Sequence, residues 1–169
     1  LGIHLYLKLY KHTKKILMIK IDVLIKDKNW KKYLSDPTRY LNKQAKKINL
    51  KEHFKYRLLN ISIMLTGNND IRTLNKKFRK KNKSTDILSF PNYDPKEIKK
   101  KLRLKKNIYL GDIVLNLYKV DRKKNNFKKN FNKLWIHGLV HLLGYKHYKN
   151  KDFYNMKRLE DKIINQLKC

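Results

Sequence analysis

His137-Gly-Leu-Val-His-Leu-Leu-Gly-Tyr-Lys-His147 is the stretch on which the prediction of both fold and site depends. It continues a pattern that starts near Asn130 and is apolar on most sides, which is typical of a helix buried in a core. On such a helix, residues four apart have Cβ atoms about 5–6 Å apart, so the imidazoles of His137 and His141 can reach one ion. Gly144 predicts the end of the helix, after which the chain turns back and brings His147 to the same place.

These three histidines predict a site for one divalent metal ion, with Zn²⁺ the best match. Neutral imidazole suits zinc, and three protein ligands leave a fourth position open, as in catalytic rather than structural zinc sites. Three of the six histidines fall within this stretch, which unrelated core histidines explain poorly. The spacing of the first two is that of the zincin proteases, but Gly138 replaces their glutamate general base, which argues against peptide hydrolysis.

Periodicity along the rest of the chain predicts a single α/β or α+β domain built on one sheet. Four segments rich in β-branched residues predict strands at 16–26, 57–65, 86–93 and 109–117. Helical spacing predicts helices at 29–48, 70–78, 130–143 and 152–167, and Pro37 is expected to bend or divide the first. The basic stretch 96–106 is predicted to be an exposed connection.

Lysine and arginine dominate the composition of the chain. Its 169 residues include 44 Lys+Arg and 13 Asp+Glu, for a net charge of +31. Such a surface attracts polyanions, so RNA or DNA is the expected partner. The alternative is that lysine is generic surface filler, since the chain is crowded with Lys, Asn and Ile and has one alanine, Ala45.

The cellular compartment is predicted from what the sequence lacks. Cys169 is the only cysteine, so no disulfide can form within the chain, which fits a reducing compartment. No apolar run approaches the roughly 18 residues of a membrane span. We therefore expect a cytoplasmic protein without a membrane anchor.

Several blocks of sequence, in the same order along the chain, resemble the YbeY family of bacterial rRNA maturation endoribonucleases. The histidine stretch matches the pattern His-Gly-x-x-His-Leu-x-Gly-Tyr-x-His. The other blocks are MIKIDV at 18–23, LNKKFR at 74–79, STDILSFP at 84–91, LGDIV at 110–114 and MKRLE at 156–160. The resemblance covers residues 18–167, so residues 1–17 are expected to be a non-native or flexible extension; a genuine basic tail is the alternative.

The resemblance implies a mixed sheet packed against a zincin-like metal helix, with one zinc ion per chain held by the three histidines. It also implies a single-strand-specific endoribonuclease that acts in rRNA maturation and ribosome quality control, with ribosomal RNA and the ribosome or a small-subunit precursor as partners. Arg79 corresponds to a functional arginine of the family. Lys146 departs from the pattern, because the family usually has aspartate between the tyrosine and the last histidine.

The expected mechanism combines the metal with Arg79. Zinc can lower the pKa of bound water toward about 7, and a guanidinium can offer two hydrogen bonds to the charged phosphate oxygens. Further substrate contacts are predicted nearby, although for the three lysines among them ordinary solvated charges are an equal explanation. These candidates are Lys80, Lys81, Lys83, Thr85 and Ser89.

Two aspartates, Asp86 and Asp112, are candidates for a base or for a partner of a histidine. Aspartates in such places more often hold a turn or satisfy backbone donors.

Two other functions remain open at this point. One is a non-catalytic ribosome-assembly factor that binds RNA through its basic surface and uses the metal only to stabilise its fold. The other is a metalloprotease, which Gly138 disfavours.

Overall fold

Four strands form one sheet, whose order across the sheet differs from the order along the chain. The computed structural model describes residues 18–50, 58–120, 126–147 and 150–167. The strands are β1 (Met18–Ile25), β2 (Leu58–Thr66), β3 (Ile87–Pro91) and β4 (Asn107–Asn116). They lie in the order β1-β2-β4-β3, with β1, β2 and β4 parallel and β3 antiparallel to β4. The expected mixed four-stranded sheet is thus confirmed.

Helices connect the strands and cover the sheet. Within the described residues they are α1 (Pro37–Ala45), α2 (Asn68–Arg79), α3 (Pro95–Leu104), α4 (Phe127–Leu142) and α5 (Asn150–Leu167). Short 3-10 turns occupy Lys28–Lys32 and Leu117–Lys119. The break expected at Pro37 is confirmed, because the stretch 29–48 forms two segments. The Asp36 side chain caps a new helix at Pro37, where the missing N–H of proline costs nothing.

The prediction of an exposed connection at 96–106 is wrong, because most of this stretch belongs to α3. Asp94 and Glu97 form a capping box at its start, and Ile98 and Leu102 lie four residues apart on the face that is buried. The capping box provides hydrogen-bond acceptors for two backbone N–H groups that have no partner within the helix. The apolar pair packs the helix against the core. These two local features outweigh the surrounding lysines.

The main core lies between one face of the sheet and helices α1, α4 and α5. Every second residue of β2 points into it, and Leu59, Ile61 and Ile63 have no exposed surface, as strand geometry requires. Trp30 and Trp135 are the largest of the fully buried side chains. The opposite face carries a smaller cluster under α2, with Ile71, Leu88 and Val114 at its centre.

Within the described ranges, no helix combines the length and apolar character needed to cross a bilayer. The extension predicted for residues 1–17 lies outside the described residues.

Asn116 is a buried polar residue that joins three parts of the fold. Its side chain is fully buried. The Nδ2 atom donates to Oδ1 of Asn68 at 2.9 Å and to the backbone oxygen of Thr85 at 2.9 Å, and Oδ1 accepts from the Tyr118 N–H at 3.1 Å. The end of β4, the start of α2 and the entry to β3 are thereby held together.

Replacing Asn116 by Leu should lower the free energy of unfolding by about 3 kcal/mol, because buried partners would lose their hydrogen bonds. Urea denaturation followed by circular dichroism measures this change. The matched substitution Asn92→Leu, at an exposed residue, should change stability by less than about 0.5 kcal/mol. Equal effects of the two substitutions would contradict the structural role of Asn116.

Candidate metal centre

A glycine contact sets the position of α4 against the sheet. Gly138 is buried, and a Cβ atom placed on it would lie 2.9 Å from the Cδ1 atoms of both Ile87 and Ile113. Any side chain at this position would require the two isoleucines to shift. A glutamate at position 138, where the zincin proteases have one, would have to displace the side chains of Ile87 and Ile113.

The three predicted histidines come together at the end of α4. Each offers a ring nitrogen, and these ligand atoms all lie within 4.8 Å of one another. The Nε2 atoms of His137 and His141 are 3.0 Å apart. Zinc–nitrogen bonds of 2.0–2.1 Å in a tetrahedral site place two ligand nitrogens roughly 3.3 Å apart. The arrangement therefore has the dimensions of a metal site.

Hydrogen bonds at the other ring nitrogens fix which atoms face the site. His137 Nδ1 donates to Oε1 of Glu160 at 2.7 Å, and His141 Nδ1 donates to the backbone oxygen of Tyr145 at 3.0 Å. A carboxylate and a carbonyl only accept, so both Nδ1 atoms carry the proton and both Nε2 atoms carry a lone pair. Two lone pairs cannot hydrogen-bond to each other. A shared cation between them satisfies both, so the residues present fit a metal ion.

Burial favours the ligand form of His141. It lowers the pKa of this imidazole below its ordinary value, against the opposing effect of the hydrogen bond to Tyr145. The ring is accordingly neutral at pH 7, as metal binding requires.

His147 reaches the site through the turn after α4. Gly144 has φ +89°, a conformation that glycine adopts without strain, and it reverses the chain as predicted. The neighbouring Lys146 does not line the cleft beside His137. It lies in a different cleft, with Pro95 of α3 and Asp152 of α5.

Glu160 was not assigned a role from the sequence. It lies on α5, 23 residues after its partner His137, and is half-buried beside the apolar stripe formed by Met156, Leu159 and Ile163. An acidic residue at the margin of a buried stripe is a weak signal that it has a partner. Only the packing of α5 on α4 identifies that partner as a metal ligand.

Arg79 lies at the end of α2, on the opposite face of the sheet from α4. Its side chain is exposed, and within the described residues no hydrogen bond or ion pair joins it to the three histidines. The preceding Phe78 lines a groove of about 680 Å³ beside α2, with Leu24 and Met64 of the open sheet face. The structure therefore does not bring Arg79 into contact with the histidines, and its catalytic role stays a prediction.

The loop after Arg79 carries the three predicted lysine contacts, and all three side chains are exposed. Lys80 adopts a left-handed conformation with φ 59°. Asn75, which is buried, accepts from the Lys81 N–H at 3.2 Å and donates to the Lys83 oxygen at 2.7 Å. These bonds hold the backbone of the loop. The Lys80 ammonium donates to the Lys77 oxygen at 3.3 Å, and the side chains of Lys81 and Lys83 are exposed.

The remaining candidates lie along β3 and β4. The Thr85 hydroxyl donates to Asp86, which also accepts from the Ile87 N–H, so Asp86 does satisfy a backbone donor. Ser89 is half-buried and, two residues after Ile87, points to the same face of the sheet as that residue. Asp112 accepts from the Tyr109 hydroxyl at 2.6 Å and lines the groove on the opposite face.

Comparisons with known proteins place these features in one family. The family described as Endoribonuclease YbeY matches residues 20–168. A relative from Pelagibacter ubique, named Endoribonuclease YbeY, is 41% identical over 155 residues, covering 89% of this chain and 97% of the relative. One with the same name from Wolbachia pipientis is 33% identical and covers 85% of this chain and 91% of its own length.

The fold is also similar to a solved structure. The solution structure of a protein from Thermotoga maritima superposes with a TM-score of 0.51 at 24% identity, covering 89% of each chain. This likeness supports the arrangement of the sheet and helices.

Replacing Glu160 by Gln should weaken Zn²⁺ binding by about tenfold, because it removes the charge that orients His137 and raises its basicity. Competition with a chromophoric chelator measures the affinity. The matched substitution is Asp161→Asn, which breaks the surface pair with Lys157 and should leave zinc affinity unchanged. Wild-type affinity in Glu160→Gln would show that the charge of Glu160 has no effect on metal binding.

Proposed function

The chain belongs to the YbeY family of endoribonucleases, and on that premise we propose that it cleaves single-stranded RNA in rRNA maturation and ribosome quality control with one Zn²⁺ bound by His137, His141 and His147. The observation that carries the zinc proposal is the pair of facing Nε2 lone pairs, 3.0 Å apart. An open site suits hydrolysis, since three ligands leave a position for a reactant.

The chain's own residues prepare this site. Glu160 and the Tyr145 carbonyl hold two imidazoles in the tautomer that directs Nε2 inward. When bound, zinc would act as a Lewis acid that polarises a phosphate oxygen, and it would lower the pKa of a bound water toward about 7. His147, which is exposed, leaves the site open to a polymer that must enter from solvent.

Arg79 is proposed to stabilise the negative charge that develops on the phosphate. Its planar guanidinium can bind two phosphate oxygens at once. A short stretch of chain connects Arg79 to the histidine cluster. The loop after Arg79 leads to Asp86 and Ile87, and these two residues line one cleft together with His137. An RNA strand passing over the β3 edge of the sheet would meet both.

Five further side chains are proposed to contact RNA. The net charge of +31 supports a polyanion as substrate, and the lysine side chains of the loop beyond Arg79 are exposed. These residues are Lys80, Lys81, Lys83, Thr85 and Ser89. We further propose that the protein acts in the cytoplasm on ribosomal RNA within the ribosome or a small-subunit precursor.

Replacing Arg79 by Ala should lower the rate of RNA cleavage about 100-fold, as loss of a charge-stabilising donor does in other enzymes, with zinc content unchanged. The assay uses a labelled single-stranded RNA and the zinc-loaded protein. Arg39→Ala, at an exposed arginine of α1, removes the same charge and should retain activity. Normal cleavage by Arg79→Ala would exclude Arg79 from the mechanism.

Chelation and a second substrate separate the alternative functions. Chelator should abolish cleavage, and zinc should restore it. A non-catalytic assembly factor would bind RNA without cutting it, even when loaded with zinc. A metalloprotease would instead degrade a denatured protein, and cleavage of RNA that resists chelator would contradict the metal-dependent reaction.

A further inference from the structure

A cleft of about 450 Å³ opens beside His137, between α4 and α5. Leu134 and Ile164 form its apolar part, and Asp86 and Ile87 close it on the side of β3. Its charged lining consists of two lysines, Lys133 and Lys157, and three acidic residues, Asp86, Glu160 and Asp161. The cleft is therefore largely polar, and it extends to His137, one of the proposed metal ligands.

Most of these charges are already engaged. Glu160 accepts from His137, and Lys157 and Asp161 pair at 2.8 Å. Asp86 accepts from the Thr85 hydroxyl and the Ile87 N–H. Of the described residues that line the cleft, Lys133 is the cation for which the structure shows no hydrogen bond or ion pair.

Helical register places Lys133 on the same face of α4 as the metal site, and both line one cleft. Lys133, His137 and His141 recur every four residues along α4, so they form one stripe on the helix. The Cβ atom of Lys133 is accordingly about 5–6 Å from that of His137, and its side chain adds a flexible four-carbon stem. The ammonium can thus reach a group bound next to the metal site rather than the metal ligands themselves.

We propose that Lys133 binds a backbone phosphate of the RNA strand, one that neighbours the phosphate being cleaved. This inference rests on the proposed function and adds a substrate contact on the metal helix, separate from Arg79 and the loop after it. An ammonium without a protein partner is suited to this role, because it provides a point charge that accepts any phosphate orientation. Contacts of this kind position the strand without reading its sequence.

The test compares zinc-loaded wild type with Lys133→Ala, Lys133→Arg and Lys129→Ala. Lys129 is exposed on the same helix, one turn farther from the histidines, so its substitution removes an equal charge. The probe is a fluorescein-labelled single-stranded DNA of 12 nucleotides, titrated at several salt concentrations and checked on a gel for integrity. It carries the same phosphates as RNA, so binding is measured independently of cleavage.

Lys133→Ala should weaken binding about tenfold, as loss of a charge-assisted hydrogen bond does. The slope of log K against log salt should fall by about 0.7, the value for one phosphate contact on a single strand. Lys133→Arg should restore both quantities, and Lys129→Ala should change them much less. In RNA cleavage, Lys133→Ala should raise KM more than it lowers kcat.

Equal losses in Lys133→Ala and Lys129→Ala would overturn the proposal, because they would indicate a diffuse charge effect. Failure of Lys133→Arg to restore binding would do the same. Zinc content of each sample tests whether His137 is intact, and Lys133→Met, which keeps an apolar stem without the charge, provides the same test if Lys133→Ala is unstable. Loss of RNA cleavage in wild type with normal DNA binding would contradict the proposed function alone.

Discussion

The close packing of α4 against the sheet at Gly138 is the constraint on which the site depends. Adjacent residues of a helix point about 100° apart, so the glycine that faces Ile87 and Ile113 fixes where its neighbour His137 points. His141 follows one turn later on the same side. The same contact explains how this chain shares a histidine spacing with zincin proteases but not their chemistry: position 138 faces the sheet, whereas a general base must face the substrate.

The parts of the structure that follow from local pattern could be predicted from the sequence. The strands, the buried metal helix and the turn at Gly144 are encoded within short windows, and so is the grouping of the three histidines. Helix α3 differs from the prediction although Asp94 and Glu97 signal its start, because its many lysines obscure the apolar pair Ile98 and Leu102 in the sequence. Glu160 could not be assigned a partner, since its contact with His137 depends on how two helices pack.

The net charge of the chain does not identify which surface carries the site. The excess of 31 positive charges is distributed over the whole chain, so it favours a polyanion without selecting a surface. Around His137 the carboxylates are held in pairs by neighbouring side chains. Glu160 is engaged by a ring nitrogen and Asp161 by Lys157, so the electrostatic character of the cleft depends on pairing between neighbours rather than on composition.

The hydrogen bond between His137 and Glu160 would also link a bound metal ion to the stability of the protein. It connects a ligand on α4 to α5, and the ligand spacing exists only when α4 is helical. An ion that binds the folded chain and not the unfolded one adds about 2.7 kcal/mol of stability at a hundredfold excess over its dissociation constant. That amount is a large fraction of the stability of an ordinary domain. Metal starvation would then reduce the amount of protein that survives proteolysis, in addition to the fraction that is active.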